Sequence, residues 1–167
     1  MKKIFSLSAA IFILFTSCKK QDRCPYTDSG ISASTTERAY LQNYLSTNSI
    51  AAIEHPSGVF YNIALAGSGA NPSICSTITV KYTGSIIPSG TVFDATTAGS
   101  SGINFTLGQL ITGWQKALPL LKICGKITLF IPSSLGYGQQ NKRDDNGNII
   151  IHGNSYLKFE IELVNVQ

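Results

Sequence analysis

The chain has 167 residues, few charged side chains and only two histidines, and these shortages argue against several classes of enzyme. Charged residues make up 13% of the sequence, about half of the roughly 25% that is typical of soluble proteins. His55 and His152 lie next to Pro or Gly in predicted loops, and no nucleophile-elbow motif is present. A hydrolase built on a Ser–His–acid arrangement is therefore not indicated.

The cysteines and the basic residues are also not arranged as a recognisable site. Cys18, Cys24, Cys75 and Cys124 show no C-x-x-C spacing, which argues against a zinc site or thioredoxin-like chemistry. We therefore expect neither a metal nor a cofactor. The formal net charge is +4, and the 13 cations are scattered rather than clustered on one stretch. Nucleic acid is accordingly not an expected partner.

The first 17 residues have the organisation of a signal peptide. Two lysines precede an apolar run over residues 4–15, which is shorter than the roughly 20 residues that span a bilayer as a helix. Small residues then lead to Cys18. We interpret this arrangement as a lipobox, with Cys18 as the lipid-bearing mature N-terminus. The alternative is cleavage by the ordinary signal peptidase, with Cys18 incidental.

A tether over residues 18–33 is predicted to follow, because this stretch is polar and rich in turn-forming residues. Residues 34–56 are predicted to form a helix and a linker. Ser34 and Glu37 have the spacing of a capping box, and Leu41 and Leu45 fall on one helical face behind it. We expect this helix to pack on the domain or to space it from the membrane.

From residue 57 to the end, the pattern predicts short strands around one short helix. Alternating apolar and polar residues or compact apolar runs predict strands over residues 59–65, 76–82, 103–107, 126–131 and 156–166. Residues 113–121 have helical spacing, with Trp114, Ala117 and Leu118 on one face. These elements predict a single α+β domain, with an antiparallel sheet closing over the helix.

Five segments in this region resemble the FKBP-type peptidyl-prolyl cis–trans isomerases. They are Val-Lys-Tyr-Thr-Gly at 80–84, Gly-Thr-Val-Phe-Asp at 90–94, Phe-Thr-Leu-Gly-Gln-Leu-Ile-Thr-Gly-Trp at 105–114, Ile-Pro-Ser-Ser-Leu-Gly-Tyr-Gly at 131–138 and Asn-Ser-Tyr-Leu-Lys-Phe-Glu-Ile-Glu-Leu at 154–163. Their common order over some 110 residues carries the resemblance. It implies a five-stranded antiparallel sheet wrapped around the short helix, and an N-terminal helix precedes this domain.

The resemblance implies a proline-binding pocket. Carried over by position, it is formed by Tyr82, Phe93, Asp94, Phe105, Leu110, Ile111, Trp114, Tyr137 and Phe159. Trp114 would form the floor, and Asp94 would lie at the rim. The Ile111 backbone N–H and the Tyr137 hydroxyl would donate hydrogen bonds to the peptide. Ile103, Ile151 and His152 depart from the family pattern, and we expect them to form an altered substrate flap.

The activity that the resemblance implies is rotation of X–Pro bonds, which requires neither nucleophile nor general base. A twisted imide is less polar than a planar one, so an apolar pocket that excludes water favours the transition state. We expect a monomeric, lipid-anchored isomerase that acts on unfolded or partly folded envelope proteins. The alternative is a non-catalytic chaperone or scaffold module that binds Pro-containing segments.

The resemblance also predicts a disulfide between Cys75 and Cys124. Each of these residues precedes a strand, and in the implied sheet the final strand lies between those two strands and runs opposite to both. The two cysteines should then share one end of the sheet. A Cys24–Cys75 bridge and three free thiols remain alternatives.

Overall fold

The computed structural model describes residues 24–167, so the signal peptide and Cys18 lie outside the described residues. Helix α1 spans Thr35–Thr47 and α2 spans Thr112–Ala117. The strands are β1 Ile53–Glu54, β2 Phe60–Leu65, β3 Thr77–Ile87, β4 Val92–Ala95, β5 Ile103–Thr106, β6 Lys126–Ile131, β7 Lys142–Arg143, β8 Ile149–Ile151 and β9 Tyr156–Val166. Short 3-10 turns lie at Leu107–Gln109, Leu118–Leu120 and Ser133–Leu135.

The main sheet is antiparallel, with the strand order β1-β2-β6-β9-β3-β4. Strand β3 is long enough to pair with β9 along its whole length while β5 and β4 pair with successive parts of its other edge. The α+β prediction is confirmed, as is the position of the final strand between β6 and β3. The sheet also includes β1 and β4, which the sequence pattern did not indicate.

The concave face of the sheet packs on α2 and forms the main core. On β9, alternate residues Leu157, Phe159, Ile161 and Leu163 point into this core and are buried. Trp114 enters it from the first turn of α2. Full burial of a large apolar side chain contributes about 1.5–3 kcal/mol, so this face holds the sheet and the short helix together.

Helix α1 packs on the opposite face of the sheet. Leu41 and Leu45 are buried against Phe130 and Phe60, and the rings of Tyr40 and Tyr156 stack with centroids 4.2 Å apart. The helix begins as predicted, because Ser34 and Glu37 form both hydrogen bonds of a capping box. The structure therefore supports the expectation that this helix packs on the domain.

The second half of the predicted tether is not a free linker. Residues 24–33 have no regular secondary structure, yet Cys24, Tyr26, Asp28 and Ala33 all contact the domain. Within residues 24–167, no helix is long and apolar enough to cross a membrane.

Candidate active site

A small cavity opens between α2 and the concave face of the sheet. Its volume is about 150 Å³, and it is lined by Tyr82, Asp94, Phe105, Leu110, Ile111, Trp114, Tyr137 and Phe159. The sequence analysis placed all of these residues in the predicted pocket. An apolar cavity of about this volume can hold one six-membered ring, so the space suits a single small ring such as the pyrrolidine of proline.

Trp114 forms the base of the cavity, and its exposed fraction is only 3%. Its indole ring meets Tyr82 edge-on at a centroid distance of 5.4 Å and Phe159 at 5.2 Å. Aromatic rings prefer such edge-to-face contacts, which fix the ring orientations. The indole N–H has no hydrogen-bond partner within the described chain. The edge-on contacts with Tyr82 and Phe159 therefore set the orientation of the cavity base.

Phe93 supports the wall of the cavity from behind rather than lining it. Its ring packs edge-on against Phe159, with centroids 5.6 Å apart. Gly84 makes this contact possible, since a Cβ atom at Gly84 would lie 2.7 Å from ring atoms of both phenylalanines. The absence of a side chain at Gly84 on β3 thus leaves room for both the Phe93 and the Phe159 ring.

Tyr82 and Asp94 form the polar side of the cavity. The Tyr82 hydroxyl donates a hydrogen bond of 2.5 Å to Oδ2 of Asp94. Burial raises the pKa of Tyr82 far above its usual value, and the hydrogen bond and charge of Asp94 raise it further. The phenol therefore stays protonated and keeps the exposed Asp94 carboxylate oriented at the rim.

Tyr137 lies at the rim, on the turn between β6 and β7. Burial raises its pKa, and the negative charge of Asp94 acts in the same direction, so the hydroxyl remains a donor at neutral pH. Within residues 24–167 this hydroxyl has no hydrogen-bond acceptor, which leaves it available to a ligand. The Lys142 ammonium group lies 5.1 Å from the ring centroid, within range of a cation–π contact.

The loop before α2 presents a second free donor. The Ile111 carbonyl accepts from the first turn of α2, but in the described part of the chain its N–H has no acceptor. Gln115 fixes this loop, because its amide nitrogen donates to the carbonyls of Leu110 at 2.7 Å and Gly108 at 3.2 Å. The sequence analysis missed Gln115, and only its polar character on a short, otherwise packed helix could have drawn attention to it.

The three residues of the predicted flap do not line the cavity. Ile103 is on β5 with 41% of its surface exposed, and Ile151 on β8 is 2% exposed and belongs to the main core. His152 is exposed just after β8. A role for them in contacting bound substrate stays a prediction.

The predicted Cys75–Cys124 disulfide is wrong. Cys75 is bonded to Cys24, with Cα atoms 5.7 Å apart, and within residues 24–167 Cys124 is an exposed thiol without a disulfide partner. The register of the two strands against β9 keeps Cys75 and Cys124 apart. The Cys124 N–H meets β9 at the Leu163 carbonyl, whereas Thr77 pairs with Gln167, about 13 Å further along the strand. Cys75 therefore lies beyond the end of β9, out of reach of Cys124.

The fold and the pocket together define a small α+β domain whose aromatic-lined cavity has room for one apolar ring. Comparison with known proteins gives the family. Residues 69–164 match the family model described as FKBP-type peptidyl-prolyl cis-trans isomerase. The chain belongs to this family.

Relatives and solved structures agree with this assignment. The outer membrane protein MIP of Legionella longbeachae is 38% identical over 112 residues, which cover 67% of this chain and 46% of the relative. The peptidyl-prolyl cis-trans isomerase Mip of Coxiella burnetii is 33% identical over 110 residues, 66% of this chain and 45% of the relative. The chain thus spans less than half the length of these curated relatives. The crystal structure of FkpA from Escherichia coli is similar with a TM-score of 0.66 and 30% identity, covering 79% of this chain and 60% of that one.

Proposed function

We propose that this chain catalyses cis–trans isomerisation of X–Pro bonds in proteins of the bacterial cell envelope. The observation that carries the proposal is the aromatic cavity of about 150 Å³ above Trp114. At its edge lie the Ile111 N–H and the Tyr137 hydroxyl, neither of which has an acceptor within residues 24–167. All of its lining residues fall within the matched family region, and we propose a monomer as the active form. Pro-containing segments of unfolded or partly folded proteins would be the substrates.

The geometry suits this reaction because rotation requires desolvation and a grip on one side of the bond. The barrier of an amide, about 18–20 kcal/mol, comes from resonance that water stabilises. Enclosing the proline ring against Trp114 would remove water from the imide and so favour the less polar twisted state. The N–H of Ile111 and the hydroxyl of Tyr137 would hold peptide carbonyls while the residue before proline turns. No step requires a proton transfer or a covalent intermediate.

Turnover should depend on the Tyr137 hydroxyl. We expect the full chain to accelerate isomerisation in a protease-coupled assay with Xaa-Pro peptides. Tyr137→Phe should lower kcat/KM by roughly 3- to 10-fold, since a neutral hydrogen bond contributes about 0.5–1.5 kcal/mol. Tyr61→Phe is the matched control, because Tyr61 lies on β2 and does not line the cavity, so removal of its hydroxyl should leave kcat/KM unchanged.

Two outcomes of this assay would change the proposal. If the wild-type chain leaves the spontaneous rate unaltered, the domain is a binding module for Pro-containing segments. Trp114 is the only tryptophan, so its fluorescence would then report peptide binding directly. If the wild-type chain is active and Tyr137→Phe is equally active, the hydroxyl has no part in turnover.

For localisation, we propose that Cys18 carries a lipid after removal of residues 1–17. Support comes from the apolar run that ends at this cysteine and from relatives such as the outer membrane protein MIP of Legionella longbeachae. In the bacterial host, Cys18→Ser should abolish labelling by a fatty-acid probe and release the protein from the membrane fraction. Cys124→Ser is the control and should keep both. Lipid labelling of Cys18→Ser would exclude this anchor.

A further inference from the structure

We propose that residues 24–47, which precede the matched family region, form a brace that positions both hydrogen-bond donors of the pocket. Glu37 would be a positioning residue for the turn that carries Tyr137, and Tyr26 for the loop that carries Ile111. This inference rests on the proposed function, because it assigns these residues a part in the same site. It gives α1 a role in the reaction beyond packing on the sheet.

At one end of the brace, Glu37 joins α1 to the Tyr137 turn. Its Oε1 accepts from the Ser134 backbone N–H at 2.9 Å, and its Oε2 accepts from the Ser134 hydroxyl at 2.9 Å. Oε2 also accepts from the N–H and hydroxyl of Ser34, each at 3.0 Å. Burial acts to raise the pKa of Glu37, but these hydrogen bonds act in the opposite direction and hold the pKa below its usual value. At neutral pH one ionised carboxylate therefore links the helix cap to the turn.

The turn transmits this contact to Tyr137 over a short distance. Ser133 is buried, its carbonyl accepts from the Gly138 N–H at 2.9 Å, and its hydroxyl donates to the Gly138 carbonyl at 3.0 Å. These bonds close a tight loop whose first residues are held by Glu37 and whose last residues flank Tyr137. A shift of Ser134 would thus move the Tyr137 ring relative to the cavity.

At the other end of the brace, the extended segment lies on the loop before α2. The Tyr26 side chain covers Gly108 so closely that a Cβ atom there would lie 2.8 Å or less from three Tyr26 side-chain atoms. Lys116 on α2 pairs with Asp28 at 2.6 Å and also donates to the Ser29 carbonyl. The Lys116 side chain is 13% exposed but that of Asp28 is 73% exposed, so solvent screens this ion pair and it orients the segment more than it stabilises it.

The two ends are connected through Arg38. Its guanidinium group donates to the carbonyls of Ala33 at 3.1 Å and Pro56 at 2.6 Å and pairs with Glu54 at 2.6 Å. The extended segment and α1 are therefore fixed to each other and to β1 and the residues that follow it. Since a misplacement of about 1 Å can cost on the order of 100-fold in rate, holding both loops from one structure has a direct catalytic consequence.

The test compares Glu37→Ala with Ser34→Ala in the full chain. Both variants weaken the helix cap, which costs about 1 kcal/mol, but Ser34→Ala leaves the contacts between Glu37 and Ser134 in place. We expect kcat/KM to fall about 5- to 10-fold in Glu37→Ala and to stay within about twofold in Ser34→Ala. Glu37→Gln retains one acceptor oxygen for the Ser134 N–H and should restore part of the loss.

A double-mutant cycle with Tyr137→Phe separates positioning from general destabilisation. If Glu37 acts through the Tyr137 hydroxyl, Glu37→Ala should reduce kcat/KM little further once that hydroxyl is absent. An equal loss in both backgrounds would overturn the assignment of Glu37. The corresponding variant at the other end, Tyr26→Ala, should lower kcat/KM with or without the Tyr137 hydroxyl, because it acts on the Ile111 loop.

Hydrogen exchange of backbone amides tests the brace independently of isomerase activity. Glu37→Ala should speed exchange of the Ser134 and Gly138 amides at least tenfold relative to Ser34→Ala, whether or not the chain is an isomerase. If the wild-type chain does not accelerate isomerisation but these amides respond, the function fails while the brace stands. If the chain is active and the amides do not respond, the brace is wrong.

Discussion

Replacing Trp114 with alanine is expected to lower the free energy of unfolding by about 3–5 kcal/mol and to reduce kcat/KM for X–Pro peptides by at least about 100-fold. The indole is almost fully buried and meets two pocket rings edge-on. Its removal would open the base of the cavity to water and release Tyr82 and Phe159 from their packing. A 100-fold loss corresponds to about 2.7 kcal/mol of transition-state stabilisation, which is within the contribution of one large aromatic side chain.

Phe130→Ala is the matched control for this substitution. Phe130 is equally buried, but it lies under α1 on the opposite face of the sheet. It should cost a similar free energy of unfolding, measured by denaturant titration, and should lower kcat/KM by no more than the 5- to 10-fold expected of Glu37→Ala, because it reaches the site only through α1. If alanine at 114 prevents folding, Trp114→Leu preserves more volume and still removes the aromatic base. Full activity of a folded Trp114 variant would show that the cavity is not the site of turnover.

Much of the fold could be predicted because several elements have strong local patterns. The alternation of apolar and polar residues correctly predicted the final strand over residues 156–166, and the capping box of α1 is formed by the two predicted side chains. The strands that were missed, β1, β4, β7 and β8, span only two to four residues. Such segments are too short to show a period of two, and long-range pairing rather than local propensity sets their conformation.

The side chains that line the candidate site could be predicted, but the residues that hold the pocket loops in place could not. The lining residues were identified because the family resemblance marks them by type and position. Gln115 and the contact between Glu37 and Ser134 escaped prediction because these side chains bind backbone groups of loops, Glu37 the Ser134 N–H and Gln115 the carbonyls of Gly108 and Leu110. Any polar residue can form such contacts, so the sequence carries no specific signal for them. The docking of residues 24–33 escaped for the same reason.

Loss of the Cys24–Cys75 disulfide is expected to lower the free energy of unfolding by about 2–4 kcal/mol. The bridge joins residues that are 51 positions apart, and closing a loop of that length corresponds to about 4 kcal/mol in the chain-entropy model. The Cys24→Ser/Cys75→Ser double variant removes the bridge without leaving an unpaired thiol, and Cys124→Ser is the control because Cys124 is free and exposed. Denaturant titration should show a lower midpoint only for the double variant.

The pairing itself can be established by mass mapping of the protein digested without reduction. We expect one cross-linked peptide that contains Cys24 and Cys75, while Cys124 is alkylated before any reductant is added. A Cys75–Cys124 peptide, or alkylation of all three thiols without reduction, would contradict the structure.

The bridge also ties the segment that carries Tyr26 and Asp28 to the start of β3, next to the loop of Ile111. Its loss should therefore reduce kcat/KM as well as stability, and Cys124→Ser should change neither.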